Sequence, residues 1–357
     1  MARAEQAVAE RAIAVVRAPA SPTLSVGSHT EVAKLALALA VPLRWGGQRG
    51  TALDVARAER DAAGADAAAA VDRAREAVTA TWFRLAGDEE LERIATARAA
   101  RLERTAGAVK DLFDAGRVPR LDVVRTQAEA AFSRASVFTA QAERRAAAAA
   151  LALLVGAEPS ADLAAGGDRP VPAPLPELTA LRARAASAAE VRAADARGRA
   201  ADARIEKAKR ERLPALTLEG GVDYNDPTLD GTDKHVSLGL TLPIGARAAV
   251  GVSTAARERK AADRSRLIRV LEAGVVAAWN RSEAARQRLD ALDAATLPAS
   301  REAAELAGIA YREGRLDLLR LLESERALLD AGVARVETWI LWGTERASLE
   351  RLVGGKI

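Results

Sequence analysis

Apolar and polar positions alternate with period two over four short stretches of this chain, and with a period near 3.6 almost everywhere else. From Pro214 to Ile244, Leu216, Leu218, Gly220, Val222 and Tyr224 share one parity, against Thr217, Glu219, Gly221 and Asp223. After an Asp/Gly/Pro-rich turn, Val236, Leu238, Leu240 and Leu242 alternate with His235, Ser237, Gly239 and Thr241. This pattern predicts a β-hairpin over about 215–243. A shorter hairpin is predicted over about 22–43. It has Leu24 and Val26, a turn after Gly27, and then Leu35, Leu37, Leu39, Val41 and Leu43 opposite Ala36, Ala38, Ala40 and Pro42. Trp45 follows, where an aromatic belt falls if the leucine face meets lipid; in a soluble hairpin it would be core. A lone hairpin is marginal in water. Its edges need closure and its leucines an apolar partner, and a membrane barrel assembled from several chains supplies both.

The rest reads as helix. Residues 1–17 are the end of one, stopped by Pro19 and Pro22. From about Gln48 to Phe113 apolar residues recur at three and four, a length of ~100 Å if unbroken; Gly87-Asp88 is a possible interruption. Gly116-Arg117-Val118-Pro119 forms a tip (about 114–120). A strict heptad then places Leu121, Val124, Ala128, Ala131, Ala135, Phe138 and Ala142 on one seam, which predicts a left-handed supercoil with close neighbours. Residues 157–176 are a Pro/Gly-rich linker. One helix is expected from about Glu177 to Arg212 and another from about Val252, with a break at Pro298. A second tip (about 312–318) lies around Gly314, and a final helix ends at Val353-Gly354.

The two halves repeat. Phe113, Gly116, Leu121 and Val155-Gly156 correspond to Tyr311, Gly314, Leu319 and Val353-Gly354 at one offset of 198. LAVPL at 39–43 corresponds to LTLPI at 240–244. The expected organisation is a first repeat over 1–156, the linker over 157–176 and a second repeat over 177–357. The first repeat has no counterpart to the opening helix of the second, so an N-terminally truncated first repeat, with a missing export signal, is expected.

Composition narrows the function. Of 357 residues, 29% are charged and 3% aromatic, which fits long helices and coiled coils. The net charge of +4 comes from 53 basic and 49 acidic residues that are interspersed, and no basic stripe alternates with aromatics, so no nucleic-acid partner is expected. The absence of Cys removes disulfides and thiol chemistry. No apolar run approaches the ~18 residues of a transmembrane helix. The sequence holds no nucleophile–base–orienter set, Gly-rich phosphate loop or HExxH motif, so an enzyme is not expected, nor a cofactor. His29 and His235 lack metal-site spacing.

Several stretches carry a resemblance. GRVPRLDVVRTQAE at 116–129, YREGRLDLLRLLESERALLDA at 311–331, ALALLVGAEP at 150–159, RERLPALTLEGG and GLTLPI in the second half, and LPASREAAELAGIAYREG before the second tip together resemble the TolC-like outer-membrane efflux proteins over nearly the whole chain. The resemblance implies a mainly α fold with two β-hairpins and long antiparallel coiled-coil helices in two internal repeats. It implies a homotrimer in which each chain lends four strands to one outer-membrane β-barrel and its helices to a periplasmic α-barrel. It further implies a periplasmic adaptor and an inner-membrane transporter, such as one of the resistance-nodulation-division class, as partners, with outer-membrane lipid around the barrel. Export of small molecules or metal ions follows from it.

Residue roles follow from that frame. Glu219, Asp223, His235, Ser237 and Thr241, opposite the leucines, would face the lumen. Asp226, Asp230 and Asp233 would give the outer loop negative potential or simply solvate a turn. Arg117, Arg120 and Asp122 at one tip, and Arg315, Asp317 and Arg320 at the other, could pair between helices to hold a closed aperture, each pair worth ~0–1 kcal/mol. Val118, Leu121, Leu316, Leu318 and Leu319 are adaptor-contact candidates, although staples within the chain use such residues too. Gly116 and Gly314 mark the turns. Trp279, Trp339 and Trp342 read as packing. The competing reading is a soluble, elongated coiled-coil scaffold.

Overall fold

The computed structural model describes residues 2–18, 21–29, 34–43, 46–160, 162–226, 231–243 and 246–357. Trp45, Asp230 and Ile244 lie outside these residues, and of His29, Asp226 and Asp233 only the backbone is described. In chain order the elements are α1 (Ala2–Arg17), β1 (Thr23–His29), β2 (Lys34–Leu43), α2 (Gln48–Asp114), α3 (Arg120–Val155), α4 (Leu178–Ala185), α5 (Ala189–Arg210), β3 (Ala215–Asp226), β4 (Gly231–Thr241), α6 (Ala246–Ala291), a π-helical turn (Leu292–Thr296), α7 (Leu297–Arg312) and α8 (Leu318–Leu352). The fold is mainly α with two hairpins, joined as one antiparallel sheet in the order β1-β2-β3-β4.

Three helix boundaries differ from the sequence expectation. The helix expected over 177–212 is two, because the chain turns at residues 186–188 and α5 restarts with Val191 N–H on Ala188 O, 3.0 Å. Neither Gly nor Pro marks that turn. The break at Pro298 is absorbed by the π turn, and α7 begins with the proline in its first turn, where a missing N–H costs little. Gly87-Asp88 interrupts nothing, since α2 runs through it for 67 residues.

Two compact units form. The first comprises Met1–Val71 and Ser187–Val270, the second Asp72–Ala186 and Leu271–Ile357. In the first, α5 is the alanine-rich middle helix, with Ala189, Ala193, Ala196, Ala200 and Ala201 buried. Ala65 and Ala69 of α2 pack on Ala189 and Ala193. Small side chains bring the helices close, and charges at heptad spacing fix their register. Arg197 and Arg204 of α5 pair with Asp66 and Glu59 of α2, while Asp195 and Asp202 pair with Arg264 and Arg257 of α6. Every partner is seven residues from the next, in antiparallel order, as a left-handed supercoil requires. Such exposed pairs add little energy each; their worth is in setting which turn faces which.

In the second unit, α2 and α8 approach through two glycines. A Cβ on Gly343 would lie 2.2 Å from the Phe83 ring, and one on Gly87 would lie 2.3 Å from Ile340 Cδ1. Each helix inserts a side chain into the other's gap, which explains a glycine in mid-helix despite its cost of ~1 kcal/mol there. Around this crossing Phe83, Ala86, Ala285, Leu289, Trp339 and Trp342 form a buried cluster. The linker is laid on it by indole donors. Trp82 Nε1–H donates to Gly166 O (3.2 Å), Trp339 Nε1–H to Pro170 O (3.1 Å) and Trp279 Nε1–H to Pro176 O (2.9 Å). Arg169 adds bonds to Glu90 and to Ala86 O, 3.1 Å each. The tryptophans therefore pack, and two of those expected only to pack (Trp279 and Trp339) also hold the linker.

Two carboxylates are buried here. Asp88 is 1% exposed and accepts from Arg84 Nε at 2.8 Å; burial raises its pKa above the ordinary carboxylate range, outweighing the arginine. Glu325 is 7% exposed and accepts from Arg101 at 3.1 Å; burial again raises its pKa above the ordinary value, against the pull of Arg101, Arg98 and Arg104.

Two predictions follow from these contacts. Gly343→Ala drives a methyl into the rigid Phe83 ring, so the gain in helix propensity is outweighed and thermal unfolding shows a net loss of about 1–3 kcal/mol. For Glu325 the raised folded-state pKa means that the ionised form costs stability. That cost is absent below the unfolded-state pKa of about 4 and complete above the folded-state value. Glu325→Gln therefore gains Tm relative to the parent as pH rises from about 4 to neutrality; a difference independent of pH would contradict the assignment.

Candidate functional site

The sheet comes first. β2 pairs with β3 from Leu35↔Tyr224 to Leu43↔Leu216, tying the two hairpins together. Residues directly opposite share a face, so the register builds rows. Leu24, Leu39, Gly220 and Val236 form one row, and Thr23, Ala40, Glu219 and Ser237 the next. All the leucines and valines of the four strands fall on one face. That face is exposed: Leu24 is 67%, Val236 80% and Leu238 64% accessible. Among the described residues Lys234, opposite Val222 near the turn, is the charged side chain on it. Among the described residues β1 and β4 have no strand on their outer edges. A register shift between Asp223 and Asp226 adds a bulge near the turn.

The opposite face is small and polar. Glu219, Asp223, His235, Ser237 and Thr241 all lie on it, with Ala36, Ala38, Ala40 and Thr217. His235 Nδ1 stands 3.8 Å from Asp223 Oδ2. Its ring lies over Gly221, where a Cβ would fall 2.4 Å from Cε1. Glycine is thus what lets the imidazole lie flat on the strand. Among the described residues no cluster of three or more His, Cys, Asp or Glu is placed to hold a metal, and no helix is long and apolar enough to cross a membrane.

The two tips lie in the second unit and are built alike. Gly116 has φ +72° and Gly314 φ +73°, a left-handed turn that glycine adopts freely. Arg117 N–H reaches Leu112 O, and Arg315 N–H reaches Ala310 O, both at 2.9 Å, closing the same C-terminal cap motif. The helix starts differ. Asp317 caps α8 by accepting from Arg320 N–H at 2.9 Å, whereas Pro119 precedes α3 without a side-chain cap.

Packing separates the candidate contact residues. Leu318 is 3% exposed and belongs to an internal cluster with Val109, Val123, Ala307, Tyr311 and Leu321; Val118 and Leu316 are half-buried against it. These three act within the chain as staples. Leu121 (68%) and Leu319 (49%) remain exposed, as do Gly116, Arg117, Arg120, Gly314, Arg315, Asp317 and Arg320, while Asp122 is half-buried. The inter-helix ion pairs expected at the tips are not those formed. Arg315 pairs with Glu313 and Arg320 with Asp317 at 4.0 Å, because the nearest opposite charges are local. Arg117 does cross toward the other tip, its Nη2 3.8 Å from where a Cβ on Gly314 would be.

Tyr311 was visible in the sequence only as the counterpart of Phe113. It is 6% exposed beneath both tips, its Oη is without a hydrogen-bond partner, and burial together with the Asp122 carboxylate holds its pKa above the usual phenol value. An aromatic shared by α3, α7 and α8 is thus the joint between the tips. The other residues that sequence pattern underrated are the seam positions of α3. Leu121, Val124, Ala128, Ala131, Ala135, Phe138 and Ala142 are all exposed, Phe138 at 71%, while α3 packs in the chain through Val123, Thr126, Ala130 and Ser133.

Known proteins agree with this architecture. The outer membrane efflux protein family model matches residues 181–355. The cobalt-zinc-cadmium resistance protein CzcC of Cupriavidus metallidurans is 25% identical over 297 residues, 82% of this chain and 70% of its own. Two solved structures share the fold. The outer membrane protein VceC of Vibrio cholerae has TM-score 0.77 and 19% identity, covering 100% of this chain and 92% of that one. The MtrE outer membrane channel of Neisseria gonorrhoeae, in its open state, has TM-score 0.79 and 21% identity, covering 99% and 85%. Residues 181–355 thus match the outer membrane efflux protein family, whose members are passive channels and not enzymes, and the chain as a whole shares the fold of solved outer-membrane channels.

Proposed function

We propose that this chain is one third of an outer-membrane duct: a homotrimer of twelve strands and a helical barrel, working with a periplasmic adaptor and an inner-membrane transporter. The observation that carries the reading is the sheet, with its exposed apolar face on four strands and both edges open. In hydrocarbon every backbone group must be paired, so a sheet survives there only as a closed barrel. β1 of one copy can join β4 of the next antiparallel, which preserves the up-and-down order. Two copies would give eight strands, an interior that side chains fill; three give twelve and an open lumen. The polar face with Glu219, Asp223, His235, Ser237 and Thr241 then lines the water path.

The α3 seam supports the same closure. Seven small or apolar positions at heptad spacing need a partner that the chain itself does not supply. A neighbouring copy has one in the groove lined by Ala299, Ala303, Leu306, Ala310 and Ala327 on α7 and α8. This contact is head-to-tail and closes into a ring. At the tips, Leu121 and Leu319 beside the Gly116 and Gly314 turns are the surface offered to an adaptor, and Tyr311 is the joint that holds the aperture shut. Cargo is drawn as small molecules or metal ions; the name of the CzcC relative speaks of cobalt, zinc and cadmium resistance. Energy enters at the inner-membrane transporter, since the duct has no chemistry of its own.

Membrane fractionation and cross-linking in mild detergent test the assembly. The parent chain is expected in the outer membrane as a trimer. Phe138→Glu places a charge on the seam, leaves the fold of each chain intact and lowers the trimer fraction at least tenfold. A parent chain found only as a soluble monomer would remove the duct reading and favour the scaffold. For the aperture, Tyr311→Ala empties the joint at a cost of about 3–5 kcal/mol and raises single-channel conductance in planar bilayers. Tyr311→Phe, which removes only an unbonded hydroxyl, leaves conductance near the parent value. Equal effects of both would place the joint elsewhere.

A further inference from the structure

We infer that the cleft between α2, α7 and α8 in the second unit is a binding site for an amphiphilic organic anion, a carboxylate or sulfonate on a compact apolar body. Two contiguous hollows, of about 520 Å³ and about 630 Å³, share Arg101, Arg301, Glu325 and Leu328 as lining. Each is of the size that holds a small organic ligand. The floor is apolar, with Ile94, Leu328 and Val336. Gly332 leaves a slot beside Ile94, whose Cδ1 would stand 3.4 Å from an added Cβ.

The rim is guanidinium. Arg98, Arg101 and Arg104 recur every three residues on α2, so their side chains fan along the cleft, and Arg301 faces them from α7. Their carboxylates do not balance them. Glu325 binds Arg101 at 3.1 Å. Arg98 reaches Glu129 only at 3.9 Å, and its buried Nε has no hydrogen-bond partner. Among the described residues no carboxylate lies within pairing distance of Arg104 or Arg301. Planar guanidinium forks over an apolar floor match a carboxylate or sulfonate carried on a flat hydrocarbon, and repel an amine of the same shape. The cleft uses the face of α7 with Arg301, Glu305, Gly308 and Arg312. The proposed neighbour contact uses the opposite one, with Ala299, Ala303, Leu306 and Ala310. Assembly as proposed therefore leaves the cleft open. Binding does not depend on the duct reading; only its meaning, as a waypoint for anionic cargo, does.

Isothermal titration of the full chain in zwitterionic-lipid nanodiscs tests it, with empty discs subtracted. The probes are 2-naphthoate and 2-naphthylmethylammonium, which share an apolar body and differ in charge. Naphthoate is expected to bind saturably, one per chain, and the amine about tenfold or more weaker. Arg104→Gln combined with Arg301→Gln, both outside any ion pair, weakens naphthoate about tenfold without changing the circular dichroism spectrum. Arg259→Gln with Arg266→Gln, on α6 and not among the lining of the cleft, leaves it unchanged. Absence of saturable naphthoate binding, equal binding of the amine, or an unaffected Arg104/Arg301 double variant would overturn the site. A chain that binds naphthoate but forms no trimer would keep the site and remove the duct.

Discussion

A sheet must pair the backbone of its outermost strands, and this chain stops one step short of doing so. Among the described residues β1 and β4 each present a free edge, and the leucines of every strand lie on one exposed face. Water tolerates neither feature well, and lipid tolerates the second only if the first is closed. What the chain omits at the sheet it also omits along α3, where a full heptad seam is left uncovered. Incompleteness in both places is of one kind, and the proposed ring would resolve both by the same step, a further copy placed by rotation.

Within each unit the helices are held by close approach. Small residues let backbones meet where large ones would hold them apart. Alanines along α5 bring three helices together, and a pair of glycines lets α2 and α8 interlock through Phe83 and Ile340. Charge ladders at heptad spacing then fix register without adding width. A cluster of large aromatics around Phe83, Trp339 and Trp342 ties down the linker. A helix can polarise its two faces independently, which leaves room for an arginine-lined cleft on one face of α7 and an alanine-lined groove on the other.

Much of this was legible in the chain. Period two located all four strands, and the leucine parity gave the face that the register confirms. The constant offset of 198 between Gly116 and Gly314 paired the tips before any geometry was known. Other features were hidden for definable reasons. Gly87 read as a breaker because residue type reveals conformational freedom but not that Ile340 needs the space. Leu318 read as a contact residue because apolar tips look alike whether they staple inward or point out; only packing separates it from Leu319. Tip arginines read as cross-links because spacing alone cannot rank a local Glu313 against a distant acid. The cleft was invisible, since Arg98, Arg101, Arg104 and Arg301 are four among 53 basic residues and meet only when α2, α7 and α8 come together.

The unequal caps of the tips have one more consequence. Asp317 ties down the first turn of α8, while α3 starts from Pro119 with no side-chain cap. A capping side chain is worth about 1 kcal/mol, several-fold in the population of a frayed turn. The two tips have the same length and turn on the same glycine. Fraying at the tips is therefore expected to be unequal, greater in the first turn of α3 than in that of α8, in a pair that symmetry alone would have left interchangeable.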